Sequence, residues 1–466
     1  MIKLMRTAKT LLPAATTLLA LWLVPCAHST LILTPLVRFD GTNGSSCYAT
    51  LIQGNDGNLY GTTFSGTGTN GYGTVFRVAP EGGLTTLVSF NGSNGGWPVE
   101  GLVLASDGNF YGTTAYGGES YTGSSYTGYG TVFRMASNGV LTTLFSFSGS
   151  NGAHPGCKLI QATDGNLYGT TADLGNPTVS GTVFQLTTNG QLSTLAIFNG
   201  ANGNWPASGL LQGADGSFYG TTVMGGANNL GTVFQLTTNG TLVTLVSFAG
   251  ANGANPSGSL IQAADGSFYG ATSAGGANNL GSVFQLSANG SLATLVSFNN
   301  DNGANPNGAL LQASDGNLYG TTSGGGVPRY GQASGTIFRL TTNGALTQLI
   351  VFNLDNGASP GTGLLQSGDG NFYGTTVGPV GGGEVFRLSP AVPPVIEMVA
   401  RTNGMLQFSW MALPEQSYAV QYQSNLSGTN WNWLSASVSV TNGIASVSDF
   451  IGVDPRRFYR VVLFPY

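Results

Sequence analysis

The sequence is short of charge. Of 466 residues only 7% are Asp, Glu, Lys or Arg, and 14 basic residues stand against 19 acidic ones, a formal net charge of −5. There is no basic patch with which to neutralise phosphates, so nucleic acid is not an expected partner. Histidine is nearly missing. Beyond His28 there is His154 alone, which leaves no His-rich metal cluster and no Ser–His–Asp set, and neither a metal nor a cofactor is expected. Cysteine is confined to Cys26, Cys47 and Cys157, too few for a disulfide framework. Outside the N-terminus no apolar run is long enough to cross a bilayer. What is plentiful is glycine, 74 residues, with aromatics at 10%. The glycines follow no G-X-Y period, which excludes collagen, and Val, Leu and Phe are too abundant for a disordered chain. Low charge with much Gly and Thr suits an all-β protein rich in tight turns.

The first 29 residues read as a signal peptide. Lys3, Arg6 and Lys9 precede a short apolar stretch, Leu11 to Val24, and Ala27-His28-Ser29 offers small residues at a cleavage site. Pro25 before Cys26 is unsuited to lipid attachment. The expected location is therefore secreted, periplasmic or at the cell surface, with no membrane span once the signal is removed, and a monomer is expected.

One phrase, Asp-Gly-Asn/Ser-Leu/Phe-Tyr-Gly, occurs seven times, beginning at Asp56, Asp107, Asp164, Asp215, Asp265, Asp315 and Asp369. Each copy is followed by a Gly-Thr-Val-Phe phrase, altered at Gly383, and six are then followed by a Leu-x-Thr-Leu-x-x-Phe run such as Leu84 to Phe90. Four strands follow from this: a short strand a before the Asp, strand b at Leu-Tyr-Gly-Thr-Thr, strand c at Gly-Thr-Val-Phe and strand d at the Leu-x-Thr-Leu run. Asp-Gly between a and b, and Asn-Gly between c and d, are hairpin turn signals. Four antiparallel strands per repeat make a propeller blade. From the strand-c Gly to the strand-d Phe is always 17 residues, and from that Phe to the next Asp again 17. All length variation lies between strand b and strand c, where the gap from Tyr to Gly runs from 10 to 19 residues. A fixed frame with one tolerant loop per repeat is how stacked repeats behave.

The seventh repeat stops after strand c, at Gly383 to Leu388, and its missing strand lies at the other end of the chain. Leu33-Thr34-Pro35-Leu36-Val37-Arg38-Phe39 matches Leu84 to Phe90, and Phe39 precedes Asp56 by the same 17 residues. The expected architecture is a seven-bladed β-propeller over residues 30–390, closed by its N-terminal strand, which removes the sheet edges an open array would leave. Pro35 suits an outermost strand. After a linker at 391–394, alternating runs such as Met405 to Trp410 and Tyr418 to Tyr422 predict a small β-sandwich over 395–466.

The repeat, Asp-Gly-Asn-Leu-Tyr-Gly-Thr-Thr … Gly-Thr-Val-Phe … Leu-Thr-Thr-Leu-x-x-Phe, resembles that of the bacterial GloVer-type tandem-repeat proteins, over about residues 31–390. The resemblance implies an exported repeat protein and brings no activity, cofactor or catalytic residue with it. The Trp410, Pro414, Tyr418-Ala419-Val420-Gln421-Tyr422 and Tyr459-Arg460-Val461 pattern is similar to fibronectin type III-like modules, which implies a spacer or docking unit.

Candidate chemistry is sparse. The seven repeat aspartates invite a metal or sialidase-type reading, but Asp opening a tight turn bonds its own backbone, and turn structure is the expectation. Asp301-Asn302-Gly303-Ala304-Asn305 lacks calcium-loop spacing. In a propeller the b–c and d–a loops share one face. The longest b–c loop, Ala115 to Tyr129, carries Tyr116, Tyr121 and Tyr126, while Trp97 and Trp205 sit in d–a loops just before prolines. Flat aromatics among Asn, Ser and Thr suit a sugar-stacking site, against the plainer reading that the tryptophans fill gaps between blades. The expected function is non-catalytic recognition or adhesion, binding a glycan or surface polymer through Trp97, Tyr116, Tyr121, Tyr126 and Trp205. Two alternatives stand beside it: a polysaccharide-active enzyme using Glu100 with Asp173 or Glu119 as paired carboxylates, and a purely structural surface protein. A Cys47–Cys157 disulfide is the one cross-link the composition allows.

Overall fold

The computed structural model describes residues 31–66, 71–173, 180–206, 208–287, 290–327, 333–378, 382–390, 396–402, 405–412, 417–423, 431–441, 444–450 and 458–464. The 1–29 segment and the 391–394 linker lie outside the described residues. Every regular element described is a β-strand. Two units divide the described chain, Leu33–Ser389 and Pro390–Tyr466.

The larger unit is a series of antiparallel sheets in the order a-b-c-d. Repeat four shows the pattern, with strand a at Leu211–Gln212, b at Phe218–Thr222, c at Thr232–Leu236 and d at Leu242–Ser247. Six such sheets have four strands among the described residues, and the fifth repeat gains an extra strand at Ala254–Pro256. Strand b is buried along its whole length and strand c nearly so, whereas strand d is only half-buried. Strand b is glycine at its third place because no room remains for a side chain: a Cβ on Gly112 would lie 2.6 Å from the Phe133 ring. In the first six repeats the pairing of strand c with strand d shifts after the Val or Ile preceding the Phe, as at Val233/Phe234. A bulge there raises the local twist.

Neighbouring repeats are joined by three recurring contacts, the first at every junction and the other two at most of them. The strand-d Phe of one lies on the strand-c Phe of the next, as Phe90 on Phe133 at 5.4 Å and Phe198 on Phe234 at 5.0 Å. The strand-a Gln accepts a bond from the turn of the preceding repeat, as Gln212 Oε1 from Thr163 N at 2.9 Å. A strand-b Thr hydroxyl donates to the d–a loop of the following repeat, as Thr170 Oγ1 to Pro206 O at 2.7 Å. The first and seventh repeats carry the same three contacts: Phe39 on Phe76 at 5.1 Å, Gly368 N to Gln53 Oε1 at 3.2 Å, and Thr375 Oγ1 to Cys47 O at 3.2 Å. Strand Leu31–Arg38 completes the seventh sheet beside strand c, Glu384–Pro390. Phe39 N donates to Gly383 O at 2.9 Å, the bond that Phe90 makes to Gly73 and Phe248 to Gly231, and Arg38 pairs with Glu384 at 2.8 Å.

The smaller unit has two antiparallel sheets among its described residues, one built around strand Met405–Met411 and the other around Ser417–Gln423. Leu406, Phe408, Trp410 and Val447 from the first and Val420 and Tyr459 from the second form a single buried cluster. Tyr459 donates its hydroxyl to Asp449 Oδ2 at 2.5 Å.

Candidate functional site

At the turn end of each repeat the Asp is a structural residue. Asp56 Oδ1 accepts from Asn58 N at 3.2 Å, and its Oδ2 accepts from Asn58 Nδ2 at 2.7 Å and from the Tyr60 hydroxyl at 2.8 Å. The Tyr-to-Asp bond recurs in all seven repeats. Burial alone would raise the Asp56 carboxyl, but these bonds outweigh it and hold the group below its ordinary value. The partner phenols move the other way: burial and the bond to Asp164 push Tyr168 up to about 12. A groove of about 390 Å³ opens here between repeats four and five, lined by Asp215, Tyr219, Gln262 and Phe268. Its lining is the repeated frame itself, so nothing distinguishes it chemically.

The loop end is built differently. In each repeat one residue of the d–a loop adopts a left-handed backbone: Ser46, Trp97, His154, Trp205, Asn255, Asn305 and Ser359, with φ between 49° and 58°. For a residue with a Cβ this costs about 1–2 kcal/mol, and none of the seven is Gly. The same bond compensates each time. The residue's N–H donates to the carbonyl just before strand c of the preceding repeat, as Trp97 N to Tyr72 O at 2.7 Å, His154 N to Tyr129 O at 2.9 Å and Ser46 N to Gly382 O at 2.8 Å. Each of the seven side chains is therefore fixed at a junction between repeats by a shared backbone device, and only its chemistry changes.

The long b–c loop of repeat two gathers aromatics around one of these positions. Trp97 is buried, 2% exposed. Tyr126 stacks on it, with ring centres 4.5 Å apart and planes 25° from parallel, and is itself 57% exposed in a left-handed conformation, φ 58°. Tyr116 meets both rings edge-on, at 5.7 and 5.4 Å. Tyr72 packs against Trp97 at 4.7 Å and its hydroxyl bonds that of Tyr121. Trp97 thus stands behind Tyr126 rather than beside solvent, and Tyr126 with half-buried Tyr116 and Tyr121 forms the outer surface. Tyr116 also touches His154 at 4.8 Å, and His154 Nδ1 lies 3.0 Å from Asp173 Oδ2. Trp205 occupies the position of Trp97 in repeat four and is 45% exposed. No ring contact joins it to the cluster among the described residues.

The three carboxylates with a candidate catalytic role have separate settings. Asp173 faces His154. Glu119 is exposed on the long loop, its N–H 3.4 Å from Ser146 Oγ. Glu100 lies near the start of strand a and interacts with Lys158. Both of those side chains are ringed by protein without being sealed from water. Burial pushes the Glu100 carboxyl up to about 7, with Lys158 and the Gly101 N–H pulling against it. Burial lowers Lys158, with Glu100 opposing. Among the described residues no group of three His, Cys, Asp or Glu could hold a metal.

The disulfide expectation is corrected. Cys47 and Cys157 are free, buried thiols, each bonded within its own repeat: Cys47 Sγ to Thr62 O and Cys157 Sγ to Thr170 O, both at 3.2 Å. They lead repeats one and three, which are not neighbours. Burial pushes them up to about 12 and about 11.

The left-handed series and the His154–Asp173 pair were not found from sequence. The available signal was the Pro that follows six of the seven left-handed residues, Cys47 replacing it after Ser46.

No curated protein sequence matches the chain. Among solved structures it resembles a protein of unknown function from Dyadobacter fermentans at 11% identity and TM-score 0.41, covering 77% of this chain and 98% of that one. It resembles an exo-β-1,3-galactanase from Clostridium thermocellum at 14% identity and TM-score 0.35, covering 93% and 100%. It resembles the Aleuria aurantia lectin at 11% identity and TM-score 0.33, covering 68% and 98%. The sequence itself matches the Gloeobacter/Verrucomicrobia repeat model three times, over residues 25–211, 120–331 and 261–437. With the matches spanning most of its length, the chain belongs to the Gloeobacter/Verrucomicrobia repeat family.

Proposed function

We propose that the protein is an exported recognition or adhesion module whose Leu33–Ser389 unit is a seven-bladed propeller, closed by its N-terminal strand, that binds a glycan or similar surface polymer on its loop face. The closed ring is supported by the three contacts between first and seventh repeats, which repeat those between other neighbours. Export rests on the signal-like residues 1–29. The C-terminal unit is a fibronectin type III-like sandwich, a reading supported by its two sheets and shared core.

The observation that carries the binding role is Tyr126: an exposed aromatic face, held in a left-handed conformation and backed by a buried tryptophan. A protein folding for shape alone gains nothing by leaving such a face in water. A sugar ring offers it a matching C–H face, while Asp173, His154 and the tyrosine hydroxyls provide partners for sugar hydroxyls.

The test is a glycan array and insoluble-polysaccharide pull-down with the chain lacking residues 1–29. Retention that weakens roughly fivefold or more in Tyr126→Ala supports the reading. Product release from a bound polysaccharide, or retention indifferent to Tyr126, overturns it.

A further inference from the structure

We propose that the site is an arc across blades two, three and four that holds an extended chain of neutral sugars, with Trp205 as a second stacking subsite. This rests on the glycan-binding reading of the loop face.

The argument begins with a second repeated position. Each left-handed residue is preceded by one that pairs, across the start of its own b–c loop, with the residue two places past strand b. Gly96 bridges Tyr116, Ala153 bridges Asp173, and Asn204 bridges Met224. Every blade therefore presents two variable side chains at one place: the left-handed residue and its neighbour after strand b. In blades two, three and four these pairs are Trp97 with Tyr116, His154 with Asp173, and Trp205 with Met224. In the other four blades both members are Ser, Asn, Ala or Gly. The frame treats all seven alike, so the large side chains are not required by it, yet they fall in three consecutive blades.

The first two are in direct contact, and the third is tied to the same repeat as Asp173. Tyr116 touches His154, which meets Asp173. Trp205 N donates to Ser180 O, at the end of the loop that Asp173 begins, at 3.0 Å. At one end Trp97 is covered by Tyr126. At the other, Trp205 at the same position has no stacked ring among the described residues and is 45% exposed, with Met224 exposed beside it. The arc thus runs from an aromatic face, across a polar His–Asp step, to a second aromatic face. That alternation fits a chain of pyranose rings, each with an apolar face and a hydroxylated edge, better than a single sugar.

Charge sets the class. The acids of the arc are Asp173 and, on its rim, Glu119. Arg77, Arg134, Arg339 and Arg387 stand opposite the strand-b tyrosines that bond the turn aspartates, and Lys158 lies near the start of strand a in the field of Glu100. No Arg or Lys among the described residues of the arc offers a partner to a uronate, sulfate or phosphate, so an acidic polymer is disfavoured there.

The experiment is calorimetric titration of the chain lacking residues 1–29 with neutral gluco-, manno- and xylo-oligosaccharides from disaccharide to octasaccharide, and with oligogalacturonides as the acidic counterpart. Affinity should rise with length on one neutral series and be weaker on the acidic one. Trp205→Gly removes the ring and suits the left-handed backbone. It should weaken the longest oligosaccharide roughly fivefold and leave the disaccharide unchanged, whereas Tyr126→Ala weakens both. If Trp205→Gly affects no length while Tyr126→Ala still weakens binding, the arc is wrong and the blade-two reading stands. Preference for the acidic series overturns the neutral class. If none of these oligosaccharides binds, both readings fall.

Discussion

The two ends of the repeat are made by the same four strands and obey opposite rules. At the turn end, Asp, Gly and Tyr recur at every copy, and the carboxylate is used internally: Asp164 accepts from Asn166, Tyr168 and Gln185. At the loop end one Asn recurs in the same way, as Asn94 Oδ1 accepting from Asn91 N, but the left-handed position near it keeps its backbone and changes its side chain. Seven residues share one left-handed conformation and one bond to the preceding repeat, yet they are Ser, Trp, His, Trp, Asn, Asn and Ser. One end spends its recurring side chains on holding shape. At the other, the left-handed position is fixed through the main chain, which frees that side chain to differ. The same contrast separates candidate chemistry from scaffold more sharply than exposure does, since Asp56 and Tyr126 are both exposed.

The largest test of the frame is removal of residues 30–39. Strand c of the seventh repeat would lose its outer partner along with the Arg38–Glu384 pair and the Phe39–Phe76 contact. The expected outcome is an open, sticky sheet edge and aggregation, read by size-exclusion chromatography. A monomer with unchanged melting would mean that the strand is an accessory. Next is Gly112→Ala. Its Cβ would meet the Phe133 ring and Leu102, buried on both sides, so a loss of about 1–3 kcal/mol is expected from denaturant melts.

A smaller effect divides the ends directly. Asp164→Ala should cost about 1 kcal/mol of stability through lost hydrogen bonds to a charged group, with glycan binding unchanged, while Tyr126→Ala should do the reverse. The same carboxylates set the acid limit. Asp56, Asp107, Asp164, Asp215, Asp315 and Asp369 are all held below their ordinary value when folded. The unfolded chain therefore takes up protons first. The stability these groups contribute is present above about pH 4 and fades as pH falls through their lower folded values. A melting temperature that is flat from pH 6 down to about 3 would show that the turn bonds do not favour the ionised form.

Much of the frame was legible because it is local. Hairpin turns, strand lengths and the unpaired third strand of repeat seven follow from residues close in sequence, and the match of Leu33–Phe39 to Leu84–Phe90 pointed to the strand that completes its sheet. The loop end was only partly legible. The tyrosines of Ala115–Tyr129 and the two tryptophans could be picked out by type, but nothing in the sequence showed that Trp97 would be buried beneath Tyr126 while Trp205 stayed open. The left-handed series is hidden from sequence because positive φ is read from glycine, and here the penalty is borne by residues held from a neighbouring repeat. His154 and Asp173 are 19 residues apart and meet only because two loops of one repeat converge. The cysteines misled for a related reason: equivalent positions in two repeats look alike in sequence while lying in sheets that do not adjoin.

The smallest expected effect concerns the one place where the frame breaks its own rule. The strand-a Gln bridges each repeat to the one before it at positions 53, 161, 212, 262, 312 and 366. In repeat two that position is Leu104, so no Gln reaches the N–H of Asn55. Leu104 instead packs against the apolar cluster around Tyr60 and Leu102. Gln212→Leu breaks a bridge, leaves Thr163 N to water and should cost about 1 kcal/mol. Leu104→Gln adds the seventh bridge but removes apolar contact of similar worth, since burying a Leu contributes about 1.5–3 kcal/mol in full and Leu104 is only half-buried. The two changes nearly cancel, and the variant should melt within about 0.5 kcal/mol of the parent. The double exchange separates bond from position: combining Leu104→Gln with Gln212→Leu should reproduce the cost of Gln212→Leu alone, because the two junctions share no residue. A gain from Leu104→Gln that offsets the Gln212→Leu loss would show the bridges acting together along the series of repeats, and the turn end would then be a cooperative belt rather than a row of separate clasps.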